Sequence, residues 1–216
     1  MRRWSQLFRA VLAASVLSGC GSTPPAHWRH AATQDHPWGY FSGEPVTQWN
    51  RDGRSMTLMQ NFRYTDPSGY VWVAPAGSVV DGASIPRPLW TLMGGPFEGK
   101  YRYASVLHDV AYTIQNRPPK EADRMFYHAM RCSGVGPIEA KTLYFALLRF
   151  GWHWDFSVKR AKPVKINRKM VARALPKEPV TVAAQQEIHG VQDWIRRANP
   201  SVEEIEAKAE SVTPQR

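Results

Sequence analysis

The sequence predicts an α+β domain in which a small antiparallel β-sheet is followed by an antiparallel helical hairpin and a third helix. Residues 55–64 alternate polar and apolar side chains between turn-forming sequences, which is typical of antiparallel strands. Residues 101–150 repeat apolar side chains at steps of three and four, which is typical of helices packed on a core. We expect residues 38–156 to form this single domain, because an aromatic content of 12% allows substantial apolar burial.

The strand predictions depend on turn sequences. Asp-Gly at 52–53 precedes the alternating stretch 55–64, and Asp-Pro-Ser-Gly at 66–69 follows it. The β-rich stretch 70–74 comes directly afterwards, and 78–80 is a further extended piece. Together these segments predict the small antiparallel sheet.

Three helices are predicted beyond a Gly- and Pro-rich loop at residues 81–90, which is expected to open a short helix of its own. The first two cover about Tyr101–Thr113 and Lys120–Arg131. The few residues between them include two prolines and suit a tight antiparallel turn. The third helix begins near Pro137, a residue favoured at the first helical position, and is interrupted at Gly151.

The start of the chain has the features of a targeting segment. Three arginines precede a short apolar stretch at 10–17, and the sequence Leu-Ser-Gly-Cys at 17–20 resembles the lipobox of bacterial lipoproteins. That resemblance implies a lipoprotein signal peptide at residues 1–19 and a lipidated Cys20 at the start of the mature protein. Residues 20–37 then form a polar, proline-containing tether.

The remaining cysteine agrees with this expectation. Cys132 is the only other cysteine, so lipidation of Cys20 leaves no pair for an internal disulfide. Gly21, directly after Cys20, resembles the sorting position of outer-membrane lipoproteins, and we expect the protein to face the periplasm from the outer membrane of the bacterial envelope. An uncleaved helix or an ordinary signal peptide is the alternative.

Candidate functional residues face each other across the predicted helical hairpin. His108 lies on the apolar stripe of the first helix, and Asp123 lies among core-type residues of the second. A buried carboxylate without a partner would be strongly unfavourable, and His108 is the partner that the antiparallel turn brings nearest. Asp109 and Tyr112 complete the sequence His-Asp-x-x-Tyr on the first helix.

Several short sequences occur together between residues 40 and 151. They are Asp-Gly-Ala-Ser-Ile-Pro at 81–86, His-Asp-x-x-Tyr at 108–112 and Ala-Asp at 122–123, together with Trp90, Ala104, Phe126, Gly134, Ala140 and Tyr144. In combination they resemble the bacterial and phage domain-of-unknown-function family numbered 1353. This resemblance covers about half of the chain and implies a shared fold unit, but the family name conveys no reaction.

The two helical sequences also resemble the active-site helices of secreted calcium-dependent phospholipases that cleave the sn-2 ester. That resemblance implies that His108 is the general base for water, that Asp123 orients its ring, that Asp109 ligates calcium and that Tyr112 bonds near Asp123. A neutral imidazole can take a proton from water near pH 7, and a calcium ion can polarise an ester carbonyl. The chain departs from the phospholipase pattern because it lacks the neighbouring cysteines, any disulfide and the glycine-rich calcium loop.

Other interpretations use the same residues. In a non-catalytic structural or interaction lipoprotein of phage origin, His108, Asp109 and Asp123 would form a buried polar clamp that fixes the hairpin. Ser84 could act as a nucleophile with His108 and Asp123, although its sequence is not that of a hydrolase nucleophile elbow. His128 could join a metal site, although it lies five residues beyond Asp123 and points away from that helix face, which disfavours zinc.

Other residues with distinctive side chains are expected to have ordinary roles. Trp152 and Trp154, on either side of His153, are expected to pack against the end of the third helix. Cys132 is expected to be a small buried apolar residue.

Residues 157–216 are expected to form a basic, partly disordered C-terminal extension with one amphipathic helix over Val182–Ala198. Lys159–Lys177 contains eight Lys or Arg residues and no Asp or Glu, so it could bind anionic lipid headgroups; a solvated tail is the alternative. The net charge of +10 does not indicate nucleic-acid binding, because an exported lipoprotein would rarely meet nucleic acid. The sequence identifies no protein partner.

Overall fold

The computed structural model describes residues 36–82, 94–95, 97–157 and 181–211. The described residues confirm the α+β class, because short antiparallel strands come first and helices follow. Some predictions fall outside the described residues, namely those on the signal peptide, Cys20, most of the tether, Ser84 with the rest of its loop, and Lys159–Lys177.

The strands form two small sheets where the sequence predicts one. Their bounds are Tyr40–Phe41 (β1), Thr47–Trp49 (β2), Met56–Leu58 (β3), Phe62–Thr65 (β4), Val71–Ala74 (β5) and Val79–Val80 (β6). One sheet has the order β1-β4-β5 and the other the order β2-β3-β6, and every strand pair is antiparallel.

The alternating stretch 55–64 supplies a strand to each sheet. At its centre, the backbone N–H of Met59 donates to the carbonyl of Val46 at 2.8 Å, which ends the pairing of β3 with β2. Two residues later the side chain of Asn61 accepts a hydrogen bond from the backbone N–H of Ala76 at 2.8 Å. The chain therefore passes from one sheet to the other between β3 and β4.

Five helices follow in the described residues. Their bounds are Arg102–Ile114 (α1), Pro119–Cys132 (α2), Pro137–Phe150 (α3), Val182–Ala198 (α4) and Val202–Ser211 (α5). The first three confirm the predicted hairpin and third helix. Pro119 and Pro137 each lie in the first turn, where the missing N–H removes no helical hydrogen bond.

The core lies between the two sheets and the first three helices. Helix α1 packs against β4 and β5 of one sheet and β6 of the other, so it joins the two sheets. The largest completely buried side chains are aromatic and come from both halves of the domain, namely Tyr64, Phe126, Tyr144 and Phe145. Burying each of them contributes on the order of 2 kcal/mol, which makes this shared core the main stabilising contact.

The C-terminal helices pack against α3. Helix α4 has the predicted bounds, whereas the sequence leaves open whether the stretch from Ser201 onward is ordered, and the structure contains α5 there. Ile205 of α5 is completely buried, and the neighbouring Glu206 forms ion pairs with cations of α2. Among the residues that the structure describes, no helix has the length and apolar character needed to cross a bilayer.

Candidate functional site

Asp123 is the centre of a buried hydrogen-bond cluster. Its Oδ1 atom lies 2.8 Å from Nε2 of His108 and accepts a bond of 2.7 Å from the Tyr112 hydroxyl. Its Oδ2 atom lies 2.9 Å from Nε2 of His153. Since an ionised carboxylate can only accept, each histidine presents Nε2–H to it. The structure therefore brings together three of the predicted residues and adds a second histidine.

The hairpin explains how the predicted residues meet. His108 and Tyr112 are one turn apart on α1, so both side chains leave the same face. Residues 115–118 turn the chain back, which places Asp123 of α2 opposite that face. The His108 ring also packs against Tyr112 at 4.2 Å and Phe126 at 4.9 Å between centroids, which restricts its orientation.

His153 reaches the cluster from the segment after α3. A side chain at Gly151 would place its Cβ only 2.3 Å from the carbonyl oxygen of Leu147, so the close turn at the end of α3 requires glycine. The turn is followed by Trp152, His153 and Trp154, and the Trp154 ring packs edge-on against Tyr112 at 4.9 Å. Trp154 therefore packs against α1, whereas the sequence predicts that both tryptophans pack against the end of the third helix, and 43% of Trp152 is exposed. The imidazole between the two tryptophans contacts Asp123.

The electrostatics of the cluster keep Asp123 ionised. Burial raises the pKa of the Asp123 carboxyl, but the hydrogen bonds and charge interactions with His108 and His153 outweigh burial and hold that pKa below its ordinary value. Burial and the adjacent Asp123 carboxylate raise the pKa of Tyr112 well above its ordinary value. Tyr112 therefore remains a protonated donor over the whole physiological range.

The two histidines differ in exposure. The side chains of His108 and Asp123 are completely buried, whereas 32% of the His153 side chain is exposed. Solvent therefore reaches the cluster at His153 and not at Asp123 or His108. The sequence signal that could have identified His153 is a titratable residue placed between aromatic residues directly after a helix-ending glycine.

Asp109 points to a different part of the domain. It is buried, and its Oδ2 atom accepts hydrogen bonds from the backbone N–H groups of Asp81 at 3.0 Å and Gly82 at 2.5 Å. The Asp81 carboxylate pairs with Arg54 at 3.1 Å. Backbone N–H groups carry partial positive charge and so stabilise the Asp109 carboxylate. Two such hydrogen bonds connect helix α1 to the chain at residues 81–82, which is the kind of contact that the predicted polar clamp would make. Within the described residues, no group of three or more His, Cys, Asp or Glu side chains could hold a metal ion.

His128 and Cys132 of α2 make contacts outside the Asp123 cluster. The His128 ring packs against the rings of Trp38 at 6.1 Å and Tyr127 at 5.6 Å, and burial lowers its pKa. The Cys132 thiol lies 3.3 Å from the carbonyl oxygen of Gly39, and burial raises its pKa to about 11. The thiol is therefore protonated at neutral pH, and its side chain is half-buried where the sequence predicts a buried one.

Comparison with known protein families identifies the central part of the chain. Residues 56–147 match the family described as a protein of unknown function, DUF1353. The chain carries a DUF1353 domain. The matched region contains His108, Asp109, Tyr112 and Asp123, and it ends six residues before His153.

Two relatives of the chain are uncharacterized proteins of Sinorhizobium fredii. The protein y4jT is 33% identical over 196 residues, which cover 88% of this chain and 56% of the relative. The protein y4iH is 36% identical over 111 residues, which cover 51% of this chain and 46% of the relative. The chain thus spans about half the length of the curated relatives that it matches. No solved structure matches it.

Proposed function

We propose that this protein is a lipid-anchored envelope hydrolase whose DUF1353 domain cleaves a lipid or other ester. The observation that carries the proposal is the buried Asp123 carboxylate, which binds Nε2 of His108 and the hydroxyl of Tyr112. Bonding at Nε2 fixes the imidazole tautomer, so that the basic lone pair lies on Nδ1. This is the arrangement that a general base for water requires.

In the proposed reaction, His108 removes a proton from water through Nδ1 as the water attacks the ester carbonyl. The tetrahedral intermediate then breaks its bond to the alcohol oxygen, and this leaving oxygen takes the proton from the His108 imidazolium, which restores the neutral base. Between these steps the imidazolium is stabilised by Asp123, which stays ionised throughout. Tyr112 acts through Asp123, because its hydroxyl holds the same carboxylate oxygen that orients His108. His153 holds the other oxygen of Asp123 and is also a positioning residue.

The envelope location is part of the same proposal. It is supported by the lipobox-like sequence that ends at Cys20, which would anchor the domain to a membrane by an acyl chain. An ester in a phospholipid would then lie next to the anchored domain. Incorporation of labelled palmitate into the wild-type chain, and its loss in Cys20→Ser, would support this anchor; an unlabelled wild-type chain would contradict it.

A second function is favoured by two specific observations. His108 is completely buried, and Asp109 is bound by the backbone amides of Asp81 and Gly82. Both features suit a non-catalytic structural or interaction lipoprotein in which these residues clamp the loop and the hairpin together. Catalysis would require water to reach His108, whereas the clamp requires only that its polar atoms stay bonded.

The deciding experiment measures hydrolysis of a mixed phospholipid vesicle panel by the full chain, with calcium and with chelator. The variants are His108→Gln, Asp109→Asn and His153→Gln, and the matched control is His128→Gln, which removes a half-buried histidine of α2 that packs against Trp38 and Tyr127. Folding of each variant is verified by circular dichroism.

Each result favours one function. Turnover lost in His108→Gln and kept in His128→Gln would support the hydrolase, and dependence of that turnover on calcium and Asp109 would support the calcium-assisted form. Turnover that survives chelation would support hydrolysis without calcium. No turnover by the wild type, together with a large loss of stability in His108→Gln, would favour the clamp.

A further inference from the structure

Trp154 carries a buried hydrogen-bond donor that lacks an acceptor. Its side chain is 8% exposed, and among the described residues no acceptor lies within hydrogen-bond distance of the indole Nε1–H. An indole nitrogen can only donate, and a buried donor without an acceptor is unfavourable, so such atoms are rare in folded proteins. The indole N–H of Trp154 can therefore bind a ligand that brings its own acceptor.

Trp72 shows how a comparable indole is held elsewhere in the domain. It is 7% exposed, and its Nε1–H donates to Oδ2 of Asp66 at 2.9 Å. Buried tryptophans usually have such a partner, because the indole N–H is polar. Trp72 and Trp154 are thus equally buried and differ in whether the N–H has an acceptor.

Trp154 lies next to the Asp123 cluster. Its ring packs edge-on against Tyr112 at 4.9 Å between centroids, and Tyr112 packs against the His108 ring at 4.2 Å. The residue before it, His153, binds Oδ2 of Asp123. The unpaired donor therefore belongs to a side chain that one ring separates from the proposed base.

An ester carries the acceptor that this donor lacks. Its carbonyl oxygen accepts hydrogen bonds, and it gains negative charge when water adds to the carbonyl carbon. The electron pair returns to the carbonyl bond when the alcohol oxygen leaves, so the donor keeps its proton throughout. A fixed donor that is shielded from water stabilises such an oxygen more strongly than a solvated donor does.

We propose that the indole N–H of Trp154 binds the carbonyl oxygen of the ester substrate. The inference rests on the proposed function and deepens it, since it names a donor for the oxygen on which negative charge develops. Because the indole N–H is closed to solvent, an entering ester must displace a neighbour of Trp154. Trp152 is 43% exposed and lies beside it, with 6.2 Å between the ring centroids.

The first test observes the indole N–H by nuclear magnetic resonance in the Cys20→Ser full chain with isotope-labelled tryptophan. Loss of a resonance in Trp154→Phe assigns the Trp154 signal, and Trp72→Phe assigns the matched control. The probe is monoethyl hexylphosphonate, a tetrahedral anion that resembles the intermediate of ester hydrolysis. The probe should move the Trp154 resonance and leave that of Trp72 in place. It should bind about tenfold more weakly to Trp154→Phe and within about twofold of the parent to Trp72→Phe.

The second test measures turnover of a soluble short-chain ester, dihexanoylphosphatidylcholine, below its micelle concentration. Trp154→Phe should lower kcat by about tenfold to a hundredfold and keep KM within about threefold, because the hydrogen bond strengthens as charge develops on the oxygen. Trp72→Phe should keep kcat per folded molecule within about twofold. A purely structural role of Trp154 would not separate kcat from KM in this way.

A Trp154 resonance that no probe concentration moves would overturn the inference, and so would wild-type kcat in a folded Trp154→Phe variant. The result is separable from the proposed hydrolysis. A shift of the Trp154 resonance alone, with no turnover of any ester by the wild type, would support the binding donor and contradict the hydrolase. Turnover that is lost in His108→Gln and unchanged in Trp154→Phe would support the hydrolase and contradict the inference.

Discussion

Asp123 of α2 and Glu206 of α5 are buried carboxylates that each bind three side chains, but the partners differ in kind. Asp123 binds two histidines and Tyr112. Glu206 of α5 accepts bonds from Arg124 at 2.9 Å and Tyr144 at 2.6 Å, and it pairs with Lys120 at 2.9 Å. The first carboxylate is bound by two imidazoles and a phenol, and the second by two cations and a phenol.

Two neighbouring residues of α2 take part in these two separate groups of contacts. Asp123 and Arg124 are adjacent, so they point to different faces of α2, one towards α1 and the other towards α5. Burial raises the pKa of Glu206, but bonds from Tyr144, Arg124 and Lys120 outweigh burial and hold it below its ordinary value. A carboxylate neutralised by Arg and Lys fixes the C-terminal helices, whereas one bound by histidines can support acid–base chemistry.

The largest expected effect comes from Asp123→Asn. The amide places a donor where one histidine N–H needs an acceptor, inside a fully buried site. We expect the free energy of unfolding to fall by about 3 to 5 kcal/mol and hydrolysis to be abolished. Urea denaturation of the Cys20→Ser full chain measures the first and the vesicle assay the second. A loss below about 1 kcal/mol would contradict the central position of Asp123.

Glu206→Gln tests the other side of the comparison. It removes the charge that Arg124 and Lys120 share, while their partly exposed side chains can still be hydrated. We expect the free energy of unfolding to fall by about 1 to 3 kcal/mol and turnover per folded molecule to stay at the wild-type value. Turnover that falls as far as in Asp123→Asn would show that the two carboxylates are not functionally separate.

The decrease in the free energy of unfolding at low pH should depend on both carboxylates. Each has a folded pKa below its unfolded value, so its contribution is fully present above about pH 4 to 5 and is lost as the pH falls through the folded pKa. The difference in the free energy of unfolding between the wild type and either Asp123→Asn or Glu206→Gln should therefore become smaller below pH 4. Urea titrations at pH 7, 4 and 3 measure this difference, and a difference that grows towards pH 3 would contradict the assigned directions.

The sequence predicts the parts of the site that depend on local spacing. His108 and Tyr112 share a helix face because they are four residues apart, and a short proline-containing turn is sufficient to bring Asp123 to them. The fold class and the first three helices depend on similar periodic patterns. These features could be predicted because each is encoded within about 15 contiguous residues.

The features that the sequence did not predict depend on contacts between distant residues. His153 reaches Asp123 only through the glycine turn at the end of α3, a turn that leaves no periodic signal. Helix α5 is acidic, a composition typical of a solvent-exposed segment. Its Glu206 nevertheless pairs with cations of α2 that lie 82 and 86 residues away in the sequence. The division into two sheets likewise depends on which strands pair, since both sheets share one alternating stretch.

The smallest and most discriminating effect is expected from a matched pair of hydroxyl deletions. Tyr112→Phe removes the hydroxyl that donates to Asp123, and Tyr144→Phe removes the one that donates to Glu206, from rings that are both buried. Each should lower the free energy of unfolding by about 0.5 to 1.5 kcal/mol, because each deletes one of several bonds to a carboxylate.

Only Tyr112→Phe should change the reaction. With one donor fewer, the Asp123 carboxylate keeps more negative charge for His108, so the pH at which turnover reaches half its maximum on the acid side should move upward. Tyr144→Phe should leave that pH unchanged, because Tyr144 donates to Glu206, whose bonded partners described above include no histidine. The measurement is turnover from pH 5 to 9. A change in the pH of half-maximal turnover in Tyr112→Phe alone would connect the Asp123 cluster to proton transfer. An equal change in both variants would mean that the two hydroxyls act through general stability.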